Sequence, residues 1–227
     1  MQEQKPNVII LSIYQDSLPT IKMVTEAGIL GKIGFNSAGV GVCFNAIRAK
    51  GLDTSRMPVH LGLRTVLESS SARDAIEKLE AAGMAASAHM LIGDGTGDAT
   101  GLEFTSSTFA KLPVNQGGQI VHSNHLLAKH AGFRGPVGGT WSEDSPARVE
   151  QMTALVERIG PKQPTWNDFS RVFEDQKGYP AAICRAQEGL STSATLFNIV
   201  MDLKACKGLV KMGRPCDVEE VIGLSFE

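Results

Sequence analysis

The chain has 227 residues, 42% of them apolar and 20% charged, with a formal net charge of −2 at pH 7. One sizeable core is within reach of that length, and there is no basic surplus to bind a nucleic-acid backbone. The longest apolar runs, such as Val8 to Ile13 and Ile199 to Met201, fall far short of the ~20 residues of a membrane-spanning helix, so a single soluble domain over 1–227 is expected.

VIILSIY (Val8 to Tyr14) and TIKMVTE (Thr20 to Glu26) are short β-rich runs split by Ser17-Leu18-Pro19, and KIGFN and GVGVCFNAI flank Ser37-Ala38. The chain is therefore predicted to open as antiparallel β-structure. Val59, Leu63, Val66 and Leu67 fall near helical spacing within Val59 to Ser69. A second helix follows over ARDAIEKLEAA, with Ser71-x-x-Asp74 resembling a capping box and Gly83 as its stop. SAHMLIGDG, GLEFTSS and QIVHSNHLL read as three more strands, turning at Gly93-Asp94-Gly95 and Gly117-Gly118. After a Gly/Pro-rich loop from Gly132 to Ser142, ARVEQMTALVERIG and TWNDFSRVFED read as helices, the second capped by Thr165. PAAICRA, ATLFNIVMDL, GLVKMG and EVIGLSF supply terminal strands. There is no internal repeat, and segregated runs of strands and helices point to an α+β layer sandwich with helices outside antiparallel sheets.

The N-terminus has no signal-peptide pattern and Ser225-Phe226-Glu227 is not a peroxisomal address, which makes the cytoplasm the expected compartment. Cys43, Cys184, Cys206 and Cys216 are widely spaced and are expected to be reduced thiols. His122, His125 and His130 invite a metal reading, but on a strand residues three apart face opposite ways and no acidic partner is near in sequence, so no metal is expected. Gly93-Asp-Gly-Thr-Gly97 lacks dinucleotide-loop spacing and reads as a hairpin turn. Cys43, between Val42 and Phe44, reads as a small core residue rather than a nucleophile. Ser191 lies in a polar run where its hydroxyl can bond turn backbone or reach a cleft.

Taken together, TEAGILGKIGFNSAGVGVCFNAI, GMAASAHMLIGDG, GLEF, IVHSNH, YPAAICRA, GLSTSATLFNIV and MGRP resemble the fungal isopenicillin N acyltransferase family of N-terminal nucleophile hydrolases. The likeness runs from about Leu18 almost to the C-terminus. It implies a four-layer αββα sandwich and a self-cleaving precursor whose new N-terminal cysteine forms an acyl-enzyme. The α-amino group of that cysteine can serve as its base, since an amine with a pKa of ~7.7–8.0 titrates near working pH. The acyl group then passes to or from the amine of a small peptide-like metabolite, or to water. No resident cofactor is implied, with acyl-coenzyme A as a candidate co-substrate.

On this resemblance Asn124 looks like the oxyanion-hole asparagine, and Ser87 and Ser191 match serines of maturation or catalysis. Asn36 and Ser37 occupy the family's GFNSAG turn and are expected near the substrate cleft, with a plain turn as the other reading. An arginine that follows the last serine in the family is replaced here by Thr192 and Ser193, which puts substrate choice in question. The nucleophilic cysteine and the Asn-Trp-Asp motif of the family would lie before Met1, so the chain resembles an N-terminally truncated member, without its first strands. A separate N-terminal segment or chain completing the sheet is one expectation, and a non-catalytic binding protein is another.

Overall fold

The computed structural model describes residues 2–133, 135–137, 143–160 and 164–226. Strands β1 (Val8–Ile13), β2 (Ile21–Glu26), β3 (Ile33–Asn36) and β4 (Val40–Ala46) come first, then α1 (Val59–Leu67) and α2 (Ala72–Ala82). β5 (Ala88–Asp94), β6 (Ala99–Phe104) and β7 (Phe109–Pro113) complete a seven-stranded antiparallel sheet whose strands lie in sequence order. Helices α3 (Ser145–Ile159) and α4 (Trp166–Val172) precede a second sheet of β8 (Phe197–Asp202), β9 (Lys207–Arg214) and β10 (Asp217–Ser225), ordered β10-β9-β8.

The helices sit where their apolar stripes can be buried. Leu63, Val66 and Leu67 of α1 and Leu79 of α2 pack on Ile21, Met23, Val42, Met90 and Leu102, all fully buried, which forms the helix-to-sheet core. The other face of the large sheet meets the small one through Val24, Phe35, Val210 and Leu224. α4 rests on β8 with α3 beside it, so the layers run helix, sheet, sheet, helix. Local chemistry sets the boundaries. Ser71 Oγ accepts from Asp74 N at 3.1 Å to cap α2, and Thr165 and Asp168 form a reciprocal capping box on α4.

Two expected strands are absent. QIVHSNHLL is a loop, because its backbone donors go to side chains: Leu127 N and Ala128 N to the Glu103 carboxylate, and Asn124 N to Ser145 Oγ. The strand beside β6 is instead β7, Phe109–Pro113, which the sequence reading did not single out. PAAICRA is a bend rather than a strand, with Cys184 N on Asp175 O and Arg185 N on Thr195 Oγ1. The Gly93–Gly97 run is a hairpin turn as expected, closed by Asp94 Oδ1, which accepts from Thr96 N at 2.9 Å. Of the expected loop from Gly132 to Ser142, residues 134 and 138–142 lie outside the described residues.

Candidate active site

Side-chain alternation along β4, β5 and β6 separates an apolar face from a polar one. Met90 and Leu102 face the helices, so Asn45, His89 and Glu103 point the other way, and the register places these three in one cross-strand row. His122 stacks on His89, with ring centroids 3.6 Å apart and planes within 10°. His122 Nε2 meets Glu103 Oε1 at 2.7 Å and its Nδ1 meets Ser123 O at 2.7 Å, so both ring nitrogens face acceptors. Burial and then the His122 charge lower His89 to about 3, so the lower ring is neutral, with Nδ1 on Asn45 Oδ1 at 2.9 Å.

Glu103 is fully buried. Burial alone would raise its carboxyl, but hydrogen bonds from His122, Leu127 N, Ala128 N and His130 outweigh it and hold the group at about 2. The histidines predicted to lack an acidic partner therefore have one, and two of them converge on it through N–H donors. Among the described residues no cluster has metal-holding geometry.

The loop anchored by Glu103 presents Asn124 at the end of β4. Its Nδ2 donates to Ala46 O at 3.0 Å, and its Oδ1 accepts from Arg148 Nη2 at 2.9 Å. Arg148 Nε binds Asp144 Oδ1 at 2.6 Å, while the other oxygen of Asp144 pairs with Arg185. Arg185 Nη1 in turn donates to Ser191 Oγ at 3.2 Å, and that hydroxyl donates to Ser193 O at 3.2 Å. A continuous polar run thus joins Asn124 to Ser191, with two guanidiniums against one carboxylate. The second Nδ2 hydrogen of Asn124, which no described residue uses, suits a negatively charged oxygen. Burial pulls Arg148 below its ordinary value, Asp144 opposes this, and the Arg185 charge adds to it.

Ser87 directly precedes Ala88, the register partner of Ala46, so it stands at the same end of β4 and β5; its buried hydroxyl has no partner among the described residues. Asn36 is placed elsewhere. Phe35 faces the second sheet, so Asn36 points into the helix layer, where Nδ2 donates to Leu67 O and Ser69 O and Oδ1 accepts from Ala38 N and Val40 N. Both donors and both acceptor positions of this side chain are thus committed to the turn and to the end of the helix. Ser37 is exposed and its Oγ accepts from Thr20 N at 3.0 Å; Cys206 of the β8–β9 turn approaches its carbonyl. Cys43 is mid-strand on β4, with its thiol pushed up to about 11 by burial. Arg148, Arg185, Asp144 and Glu103 were not singled out in the sequence, where each reads as an ordinary charged residue.

Residues 1–216 match the family described as acyl-coenzyme A:6-aminopenicillanic acid acyl-transferase. The chain belongs to that family. It is also similar to the acyl-coenzyme A:6-aminopenicillanic-acid-acyltransferase 40 kDa form of Emericella nidulans, at 43% identity over 227 residues, covering 98% of this chain and 61% of the relative. The chain thus spans about three-fifths of the length of that acyltransferase.

Among solved structures the fold resembles a Caenorhabditis elegans N-acylethanolamine-hydrolyzing acid amidase ortholog, with a TM-score of 0.61, 13% identity, and coverage of 95% of this chain and 83% of that one. It also resembles penicillin V acylase from Agrobacterium tumefaciens, at a TM-score of 0.62, 13% identity and coverage of 91% and 69%. A variant of conjugated bile acid hydrolase from Clostridium perfringens gives 0.60, 14%, 97% and 90%. The α+β sandwich of this acyltransferase-family chain is therefore of the N-terminal nucleophile hydrolase type.

Proposed function

We propose that the chain forms the oxyanion-stabilising body of an acyltransferase of the isopenicillin N type, acting in the cytoplasm on an acyl thioester or amide and the amine of a small peptide-like metabolite. The observation that carries this reading is Asn124, held by Ala46 O and Arg148 and linked through Asp144 and Arg185 to Ser191. A cysteine thiolate adds to the acyl carbonyl, and the Asn124 amide donates to the oxygen as it becomes an oxyanion. Collapse expels the thiol or amine leaving group, and an acceptor amine attacks the acyl-enzyme to release the product and restore the thiol. Arg185 at Ser191 gives a carboxylate-bearing substrate a guanidinium nearby although Thr192 follows the serine. Ser87, with its unpartnered hydroxyl, is assigned to maturation, and Ser37 to the rim of the substrate cleft.

The nucleophile of this scheme is a cysteine with a free α-amine, and all four cysteines of this sequence are internal. The test is therefore made on the product of the gene expressed with whatever coding sequence lies upstream of Met1. Self-cleavage before a cysteine, followed by release of coenzyme A from an acyl thioester in the presence of 6-aminopenicillanic acid, is the expected result. Asn124→Ala should lower kcat by about 10²–10³, equivalent to about 2.7–4 kcal/mol. Acyl release to water alone would make the protein an amide hydrolase of the same family. Ligand binding without cleavage or turnover would replace the proposal with the second reading, a binding protein.

A further inference from the structure

We propose that Cys184 and Cys216 are a redox pair that closes to an intramolecular disulfide, a modification site joining the bend that carries Arg185 to the β9–β10 turn. Wide spacing in the sequence suggested four unrelated thiols, yet these two, 32 positions apart, are brought to a Sγ–Sγ distance of 2.7 Å. Both sides of the contact are held by the backbone. Cys184 N donates to Asp175 O at 2.8 Å, and Cys184 O accepts from Arg214 Nη2 at 3.2 Å. The next residue, Arg185, is fixed to Thr195 through its N–H at 3.1 Å and its carbonyl at 3.2 Å. Cys216, on the turn after Arg214, is exposed, whereas Cys184 is buried.

This asymmetry assigns the order of events. Burial, and then the hydrogen bond with Cys216, push the Cys184 thiol up to about 11, so Cys216 is the sulfur that meets an oxidant. With glutathione disulfide, the Cys216 thiolate attacks one sulfur and releases one glutathione thiolate. Cys184, losing its proton as it attacks, then displaces the second glutathione from Cys216. In sum two protein thiols give up two protons and two electrons, and one glutathione disulfide becomes two glutathione molecules. Once closed, the bond fixes the position of the bend from which Arg185 reaches Ser191. The pair stands on its own geometry, so its failure and that of the acyl-transfer reading are separate results.

The test is to incubate the full chain with excess glutathione disulfide, denature it without reductant, count alkylatable thiols and map the peptides by mass spectrometry. The thiol count should fall from four to two, the peptides holding Cys184 and Cys216 should run joined, and dithiothreitol should restore all four. Cys184→Ser should leave Cys216 as a glutathione adduct with no cross-link. Four thiols still alkylatable, a lasting glutathione adduct on Cys216 of the unaltered chain, or a cross-link elsewhere or between chains would overturn the proposal.

Discussion

Two carbonyls at the end of α1 and two amides of the β3–β4 turn occupy every hydrogen-bonding position of Asn36, at 2.7 to 3.0 Å. The side chain fastens the hairpin to the helix that covers it. Asn36→Ala would leave those buried groups unmet, at about 1–3 kcal/mol each less whatever water recovers, so a loss near 3 kcal/mol is expected in urea unfolding. Turnover per folded molecule should not change, because the side chain lies on the helix side of the sheet; a selective loss of turnover at unchanged stability would return Asn36 to the substrate. At this scale GFNSAG was legible as a turn. The face its asparagine occupies was not, because a one-residue change of parity reverses it and only the strand pairing sets parity. Arg185 was invisible for a similar reason: an arginine's meaning depends on what its guanidinium reaches, and here that is Ser191 and Asp144.

Glu103 acts between elements, tying β6 to the loop that presents Asn124 through the amides of Leu127 and Ala128 and the rings of His122 and His130. Its carboxyl, held at about 2, lies below the ordinary carboxylate value, so its contribution to stability is complete above roughly pH 5. That contribution is lost as pH falls toward 2. Glu103→Gln sets an amide donor against the N–H groups that the carboxylate accepts and should cost about 1–3 kcal/mol at neutral pH, since a buried donor is left unsatisfied. Thermal melts from pH 7 to 2 should therefore show a shallower acid decline for the variant than for the unaltered chain; parallel declines would assign the acid sensitivity to other carboxylates. Helices α1 and α2 were legible from spacing and caps because those signals are local. QIVHSNHLL was read as a strand because apolar pairs stand at both ends of a short run bounded by glycines, while the carboxylate that captures its amides lies on another strand.

The two sheets approach closely where glycines remove a side chain. A Cβ on Gly41 would come within 2.5 Å of the Leu203 side chain, and one on Gly208 within 2.8 Å of the Phe35 ring. Gly41→Ala should then cost about 1–3 kcal/mol by overpacking, read as a fall in the urea midpoint at unchanged slope. An unchanged midpoint would mean that Leu203 moves aside freely. From the sequence, these glycines could be read only as turn formers or weak strand positions, since the partner surface is some 160 residues away in the chain.

The sequence by itself determined the periodicities, the caps, the α+β class and the order of motifs that marks the family, because each of these is written over neighbouring positions. Only the tertiary structure decided which polar residues meet. Strand pairing aligned Asn45, His89 and Glu103 in one row, loop capture brought Asn124 to Ala46, and Asp144 joined two arginines between Asn124 and Ser191. Those contacts link residues far apart in the chain, and a buried charge can be placed only where its partner already waits.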